Sequence, residues 1–368
     1  MVTNKVVRWF IHSVVLATLL LAGFAGTTGA ALAAGDAGAV YTITNATSGN
    51  QVLIFKRAAD GSLAPAGAVG TGGTGNGPVI GLHSQGSVKL SQDNRWLFVV
   101  NAGSNSLSSF RVSPDGLALA DTKPSGGSLP VSLAVHGRLL YVLDQGSDNI
   151  AGFFVGNRGE LKSIPGSTRA LSHTGAAAAE VAFSPDGKTL VVTEKNTQTL
   201  DTFEIGEDGT AGPAKAHPSN GAVPYGFAFD LLGRIYVTEA GPAVASSYAV
   251  GKNGSLTSIS ASVPTGGNAP CWMVVTGNGN FAFDTNASSG TVSRFSISRD
   301  GHISLLGTTP ALGAGVTDEA LSLNSQFLYA LMGGSGNIDA FKVASDGNLT
   351  AINGAAGLPS GTVGLAAW

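Results

Sequence analysis

The chain has 368 residues, of which only 12% are charged, and its formal net charge at pH 7 is −3. A single cysteine, Cys271, excludes an internal disulfide. The near balance of 20 basic and 23 acidic residues, with no basic cluster, argues against a nucleic-acid-binding protein.

The first 34 residues are predicted to be a cleavable signal peptide and not part of the fold. Lys5 and Arg8 form a basic start, an apolar stretch covers 14–24, and residues 31–33 read Ala-Leu-Ala, a small-residue cleavage site. The apolar stretch is shorter than the ~20 residues that a membrane span needs; an uncleaved anchor is the alternative. We therefore expect residues 35–368 to form one exported domain, secreted or periplasmic, without membrane contact after cleavage.

A bulky aromatic residue is followed, six residues later, by a glycine seven times along the remaining chain. The pairs are Phe55/Gly61, Phe110/Gly116, Phe153/Gly159, Phe203/Gly209, Tyr248/Gly254, Phe295/Gly301 and Phe341/Gly347. The glycines recur every 43 to 55 residues, and such a period indicates a repeat architecture. Asp or Asn precedes the glycine in six repeats, which is typical of a type I′ hairpin turn with φ > 0 at both central residues.

Each repeat is predicted to contain four short strands joined by tight turns. Two strands flank the aromatic-glycine turn, and two more precede them. The clearest apolar runs are 97–101, 140–144, 190–194 and 235–239. These runs are rich in β-branched and aromatic residues and too short for helices. Four antiparallel strands per ~45 residues predict the blade of a β-propeller, so the chain is predicted to be an all-β, seven-bladed propeller.

The ring is predicted to be closed by the C-terminal strand. The first repeat begins at Val40 with a segment that matches the second strand of the others, so its inner strand is missing. Residues 362–368 are expected to supply that strand, which would remove an exposed sheet edge; a disordered tail is the alternative. The glycine-rich connection 70–77 is expected to be flexible, so valine should be tolerated better at Gly75 than at Gly301.

Two sets of residues are expected to meet on one face of the propeller, around its channel. The first set ends the second strands: Asn45, Asn101, Asp144, Glu194, Glu239, Asn286 and Met332. The second set begins the inner strands: Ser87, Ser132, Glu180, Gly226, Trp272 and Asp318. A structural role is favoured for Asn and Asp in the first set, because these side chains bond the following turn. Glu194 and Glu239 leave three interpretations open: an acid–base pair, a cation site or solvated rim charges.

The second set predicts a small-molecule pocket with Trp272 as its aromatic wall. Carboxylates such as Glu180 and Asp318 in such a mouth suit proton transfer; the alternative is that they only hydrate the channel. Cys271 is interpreted as a small buried apolar residue. The histidines show no metal-ligand spacing, and neither a metal site nor a cofactor is predicted.

Residues 180–194 and 96–105 resemble the seven-bladed lactonase family, which includes propeller-type bacterial 6-phosphogluconolactonases and fungal carboxymuconate-lactonising enzymes. The resemblance extends over about 40–368 and implies the propeller fold and lactone hydrolysis. Glu194 matches an acidic strand end of that family. The lactonases carry an Arg-His pair where this chain reads Gly-Ala-Ala-Ala-Ala-Glu over 175–180, with Ala177 and Ala178 in place of basic groups.

The expected function is that of a monomeric, exported hydrolase of carbohydrate metabolism that opens an uncharged sugar lactone or a related ester. Glu194 or Glu180 is predicted to activate water, with assistance from Glu239. The residues predicted to hold the substrate are Trp272, Asp318, Ser132, Asn101 and Asp144. The alternative is a non-catalytic propeller that binds a glycan, a small ligand or a protein partner.

Overall fold

A computed structural model describes residues 38–78, 82–311 and 315–368. These residues belong to one compact unit, Gly35–Trp368. The predicted signal peptide, residues 1–34, lies outside the described residues. Within the described ranges, no helix has the length and apolar character needed to cross a membrane.

The strands form seven antiparallel sheets. Each sheet has four strand positions, counted from the channel to the outer edge. This arrangement confirms the predicted seven-bladed propeller. Blade 1 contains β1 (Gly38–Ile43), β2 (Gln51–Arg57) and β3 (Leu63–Gly70). Blade 2 contains β4 (Val88–Leu90), β5 (Trp96–Asn101), β6 (Ser106–Ser113) and β7 (Gly116–Pro124). Blade 3 contains β8 (Pro130–His136), β9 (Leu139–Asp144), β10 (Asn149–Val155) and β11 (Leu161–Ser163), with β12 (Arg169–Ala170) also paired to β10.

The remaining blades repeat this order. Blade 4 contains β13 (Ala178–Phe183), β14 (Thr189–Glu194), β15 (Thr199–Glu204) and β16 (Lys215–Pro218). Blade 5 contains β17 (Pro224–Phe229), β18 (Arg234–Glu239), β19 (Val244–Val250) and β20 (Leu256–Pro264). Blade 6 contains β21 (Pro270–Val275), β22 (Phe281–Asn286), β23 (Thr291–Ile297) and β24 (Ile303–Pro310). Blade 7 contains β25 (Val316–Leu321), β26 (Phe327–Met332), β27 (Asn337–Val343) and β28 (Leu349–Ala356). Two short 3-10 turns, Ala102–Ser104 and Gln145–Ser147, follow β5 and β9.

The turn glycines adopt φ > 0 as predicted, but the prediction of type I′ turns is wrong. The glycine before Ser62, Gly61, has φ 88°, whereas the preceding Asp60 is not left-handed. The Gly61 amide donates to the Ala58 carbonyl, which describes a type I turn closed by a left-handed glycine. The Asp60 carboxylate accepts the Ser62 amide, so the aspartate side chain caps the turn instead of supplying a second positive φ.

Hydrogen bonds at five blade junctions join a side chain of one blade to the turn-glycine carbonyl of the next. The donor–acceptor pairs, at 2.6–2.8 Å, are Ser109–Gly159, Tyr141–Gly209, Thr202–Gly254, Ser247–Gly301 and Tyr329–Gly61. The last pair links blade 7 to blade 1. A Cβ on Gly61 would lie 2.2 Å from Phe327, so only glycine fits between these two blades. The repeated glycine therefore serves both the hairpin and the junction.

The C-terminal strand closes the ring as predicted. Strand β29 (Val363–Ala367) pairs antiparallel with β1 and takes the inner position of blade 1. Arg57 donates to the Trp368 carbonyl oxygen from two guanidinium nitrogens, at 2.9 and 2.8 Å. The Leu365 amide donates to Asp318 of blade 7 at 3.0 Å. The last residues of the chain are thus hydrogen-bonded both to blade 1 and to blade 7.

Gly75 is tightly packed, so its predicted tolerance of valine is wrong. A Cβ at this position would lie 2.1 Å from the carbonyl carbon and oxygen of Asn45. The Gly75 amide also donates to the Ala46 carbonyl at 2.8 Å. The connection 70–77 is rich in glycine because its backbone packs directly against the backbone of residues 45–46, and not because the chain needs flexibility there.

Candidate functional site

The polar residues that end the second strands are buried and face the third strand of their own blade. Asn101, Asp144, Glu194, Glu239 and Asn286 are all 0% exposed. Three of them bond a serine seven residues later, and the pairs are Asn101–Ser108 at 2.8 Å, Glu239–Ser246 at 2.7 Å and Asn286–Ser293 at 2.6 Å. Glu194 and Glu239 are therefore not solvated rim charges.

Two of these residues, Glu239 and Asn286, also bond the connection that enters their blade. Ser219 donates to Glu239 at 2.7 Å, and Thr265 donates to Asn286 at 3.1 Å. Glu239 and Asn286 thus each join an incoming connection to the third strand of their own blade. Because these partners lie in separate blades, Asn101, Asp144, Glu194 and Glu239 are not brought together in one site.

Glu194 differs from the others because it contacts a histidine and a second carboxyl group. The Nδ1 atom of His173 lies 2.9 Å from Glu194 Oε2. Burial raises the pKa of Glu194, and the adjacent Asp201 raises it further, while hydrogen bonds from Thr197 and His173 oppose the shift. The Ser172 hydroxyl also contacts Nδ1, at 2.9 Å. Since both contacts use one ring nitrogen, the group is not a Ser-His-acid relay, which uses both.

The channel is crossed by residues 83–86, here called the channel plug. The Gln85 side chain pairs with the backbone of Met273 in blade 6, donating to its carbonyl at 2.8 Å and accepting from its amide at 3.0 Å. On the other side, the Gln85 amide donates to the Ala179 carbonyl in blade 4 at 3.1 Å. A Cβ on Gly226 would lie 2.2 Å from Gln85 Oε1, so glycine at this position leaves room for the plug.

The segment before the inner strand of blade 2 is one residue longer than in blades 3 to 6, and this explains why the plug can extend into the channel. A left-handed residue precedes the inner strand in blades 3 to 6, at Leu129, Ala177, Val223 and Ala269. Leu129 stands three residues before Ser132, whereas the left-handed His83 stands four before Ser87, the corresponding position. The additional residue lets Gln85 bulge into the channel.

Ser132, Glu180 and Asp318 link neighbouring inner strands below the plug. The Ser132 hydroxyl accepts the Val181 amide at 3.1 Å, Glu180 accepts the Phe227 amide at 2.7 Å, and Asp318 accepts the Leu365 amide. Burial raises the pKa of Glu180 to about 8 and that of Asp318 to about 7. Lys89 lies 3.8 Å from Glu180. The Ser132 hydroxyl also donates to the Gln85 carbonyl at 2.6 Å, so this group of residues contacts the plug directly.

Above the plug, an aromatic pair and a lysine form the mouth of the channel. The rings of Tyr225 and Trp272 lie 5.6 Å apart, and the indole NH donates to the Ser84 carbonyl of the plug. Lys195 Nζ lies 4.5 Å from the centre of the Tyr225 ring and donates to the His83 carbonyl at 2.7 Å. Burial lowers the pKa of Lys195 to about 8. Burial likewise raises the pKa of the neighbouring Cys271 thiol to about 12, consistent with a packing role.

The predicted site residues thus divide into two groups. Trp272 lines the mouth, and Ser132, Glu180 and Asp318 gather beside the plug; the other four lie in their own blades. Sequence reasoning missed Lys195, Tyr225 and Gln85. The available signal was the position of Lys195, directly after a strand end on the face where the connections meet. In the described ranges no cluster of three or more His, Cys, Asp or Glu side chains is arranged to hold a metal ion.

Comparisons with known proteins agree with this architecture. The family described as lactonase, 7-bladed beta-propeller matches residues 36–174 and 156–266. No curated protein matches the chain significantly. A Bacteroides uniformis protein provisionally named a 6-phosphogluconolactonase is 19% identical, with a TM-score of 0.75 over 91% of this chain and 100% of that one. The periplasmic gluconolactonase PpgL of Pseudomonas aeruginosa is 19% identical, with a TM-score of 0.69 over 89% of this chain and 99% of that one.

A structure from Lactobacillus plantarum has a similar score, with a TM-score of 0.74 at 16% identity over 90% of this chain and 99% of that one. Likenesses at such identities show the fold. The family match covers more than half of the chain and begins next to the first described strand. The chain therefore belongs to the seven-bladed β-propeller lactonase family.

Proposed function

We propose that this protein hydrolyses a lactone bound at the channel mouth, above the plug. The observation that carries the proposal is the family match over 36–174 and 156–266, because it bears directly on the type of reaction. The structural neighbours named for gluconolactone and 6-phosphogluconolactone hydrolysis support the same reaction class. Trp272 and Tyr225 lie at the base of the mouth and are 4% and 7% exposed, so a small ring would contact only the accessible edges of these side chains.

Lys195 is the group that we assign to proton transfer. It is half-buried, and its lowered pKa leaves a useful fraction of neutral amine near neutral pH. The neutral amine accepts a proton from a water molecule as that water attacks the lactone carbonyl carbon. The bond between this carbon and the ring oxygen then breaks, and the ammonium returns the proton to the departing oxygen. The product is the open hydroxy acid.

Glu194, Glu180 and Glu239 remain alternative bases from the sequence prediction. Each is buried and holds protein partners: His173 for Glu194, the Phe227 amide for Glu180, and Ser246 for Glu239. These contacts argue against direct access to a substrate at the mouth. Lys195 also has a protein partner, the His83 carbonyl, but its side chain is only half-buried and lies against the aromatic pair at the mouth.

Replacing Lys195 with methionine is expected to lower kcat/KM for lactone opening by about 10² or more, because general-base catalysis contributes about 10²–10⁴ in rate. Activity of the parent, corrected for spontaneous hydrolysis, should rise with pH through about 8, as the amine loses its proton. Acid release from a panel of lactones in a pH-stat measures both effects. Lys252→Met, an exposed lysine in the turn 250–254, is the matched control and should keep parental activity.

Glu194→Gln, measured on the same panel, separates the two assignments. Loss of activity in Glu194→Gln with retention in Lys195→Met would return the base role to the carboxylate. A parent that binds lactones in a thermal-shift assay but opens none would contradict the enzyme and support the binding module.

We also propose that the protein is exported and that its signal peptide is cleaved. The basic, apolar and small-residue segments of 1–34 motivate it, and the similar PpgL is a periplasmic protein. We expect the mature protein, recovered from the medium or the periplasm, to begin near residue 34 when its intact mass is measured. An intact chain that stays with the membrane fraction would support the uncleaved anchor instead.

A further inference from the structure

We infer that the substrate is a lactone with an apolar side chain, and that this side chain packs against one side of the channel mouth. The inference rests on the proposed function and names its substrate class. It replaces the polyhydroxylated ring expected from the sequence with an alkyl-substituted one. The support comes from the distribution of polar and apolar groups around the mouth.

One side of the mouth is apolar over three consecutive blades. Tyr225, Cys271, Trp272 and Val316 form a buried cluster there, and Val223, Ala240, Ala287 and Ala311 pack against it. The last four residues, here called the apolar side, are half-buried and therefore form part of the accessible surface. They belong to the connections around blades 5, 6 and 7. They pack against the buried cluster that contains the aromatic pair Tyr225 and Trp272.

Blades 3 and 4 are polar at the structural position that is alanine in blades 5 and 6. The residue that follows the end of the second strand is Gln145 in blade 3 and Lys195 in blade 4, but Ala240 in blade 5 and Ala287 in blade 6. Gln145 donates to the Ala178 carbonyl at 2.7 Å, and Lys195 donates to the His83 carbonyl. A ligand at the mouth thus meets an amine on one side and methyl groups on the other.

This asymmetry fits a lactone whose ring faces Lys195 and whose substituent extends over the apolar side. The amine lies where the carbonyl reacts, and as an ammonium ion it complements the carboxylate of the product. An alkyl chain gains from contact with Val223, Ala240 and Ala287. The hydroxyl groups of a sugar lactone would lose water there without a hydrogen-bond partner, which is unfavourable.

Hydrolysis of γ-butyrolactone, γ-hexalactone, γ-octalactone and glucono-δ-lactone by the mature protein tests the inference. Each methylene that becomes buried should raise kcat/KM about fourfold, the value for transfer of a CH₂ group out of water. The gain per methylene should be lost in Ala287→Asp, which places a carboxylate on the apolar side. Ala344→Asp, an exposed alanine in the turn after β27, is the matched control and should keep the parental gain.

The outcomes separate this inference from the proposed function. If none of the lactones is opened, the proposed function is wrong. If glucono-δ-lactone is opened and chain length has no effect, hydrolysis stands and the apolar substituent is excluded. A chain-length gain that Ala287→Asp leaves intact would also overturn the inference, because the alkyl chain would then bind elsewhere.

Discussion

Removal of residues 358–368 is expected to lower the Tm of the whole disc by at least about 10 °C, in one cooperative transition. The deletion removes β29, exposes the edge of β1, and takes away the Trp368 carbonyl that Arg57 holds. It also exposes the surfaces covered by Leu358 and Leu365, which are 8% and 5% exposed. Each buried leucine stabilises the fold by about 2 kcal/mol, and a loss of several kcal/mol moves Tm by about 2–4 °C for each kcal/mol in domains of about 150–250 residues.

Two point variants distinguish ring closure from the loss of a loose tail. Leu365→Ala should cost about 2–5 kcal/mol as a buried truncation, whereas Leu305→Ala, on the exposed outer strand β24, should cost no more than about 0.5 kcal/mol. Calorimetry and circular dichroism of the mature protein measure both. An unchanged Tm after deletion would contradict the closed ring, and so would a small early transition followed by the parental one.

Stability is expected to fall as the pH rises from about 5 to about 8, because two carboxyl groups are buried together between blades 6 and 7. Asp284 on β22 and Glu319 on β25 are 0% and 2% exposed. Within the described residues, none of the carboxylate oxygens of Glu319 and Asp284 has a hydrogen-bond partner of good geometry, although the Ser293 hydroxyl lies close to Asp284. Burial raises the pKa of both groups well above their ordinary values, and the proximity of Asp284 raises that of Glu319 further.

The direction of the pH effect follows from where the protons bind. In the unfolded chain these carboxyl groups lose their protons near pH 4, whereas the folded protein keeps them protonated to higher pH. Their contribution to the free energy of unfolding is therefore complete below about pH 4. It falls as the pH rises, by about 1.4 kcal/mol per pH unit for each group that stays protonated in the folded protein. Glu180 and Asp318, whose pKa values are raised to about 8 and about 7, add to the same trend.

The double variant Asp284→Asn, Glu319→Gln should flatten the dependence of Tm on pH. The comparison uses the slope between pH 5 and 8, because a packing defect shifts Tm without changing that slope. Asp115→Asn, an exposed turn residue, should keep the parental slope. If the double variant loses stability with pH as steeply as the parent does, the two carboxyl groups are already ionised in the folded protein.

The architecture could be predicted because each blade repeats local information. The aromatic-glycine spacing marks the hairpin between the third and fourth strands, and the Asp-Gly pairs mark its turn, although the turn type was wrong. The tail could be assigned to blade 1 because one repeat lacked a strand and one segment remained. Strand periodicity and turn chemistry are properties of a few adjacent residues, so the sequence by itself determined the all-β class, the blade number and the ring closure.

Only the tertiary structure decided what surrounds the channel. Gln85 crosses to Met273, 188 residues away, and Lys195 reaches Tyr225 of the next blade. Glu194 is buried against His173, whereas the next residue in the chain, Lys195, reaches the mouth. A strand pattern specifies where the backbone runs, but whether a polar side chain is buried, exposed or paired depends on which blades and connections fold over it. The proximity of Asp284 and Glu319 also depends on the tertiary structure, because the two residues lie in different blades and nothing in the sequence around either one predicts the other as its neighbour.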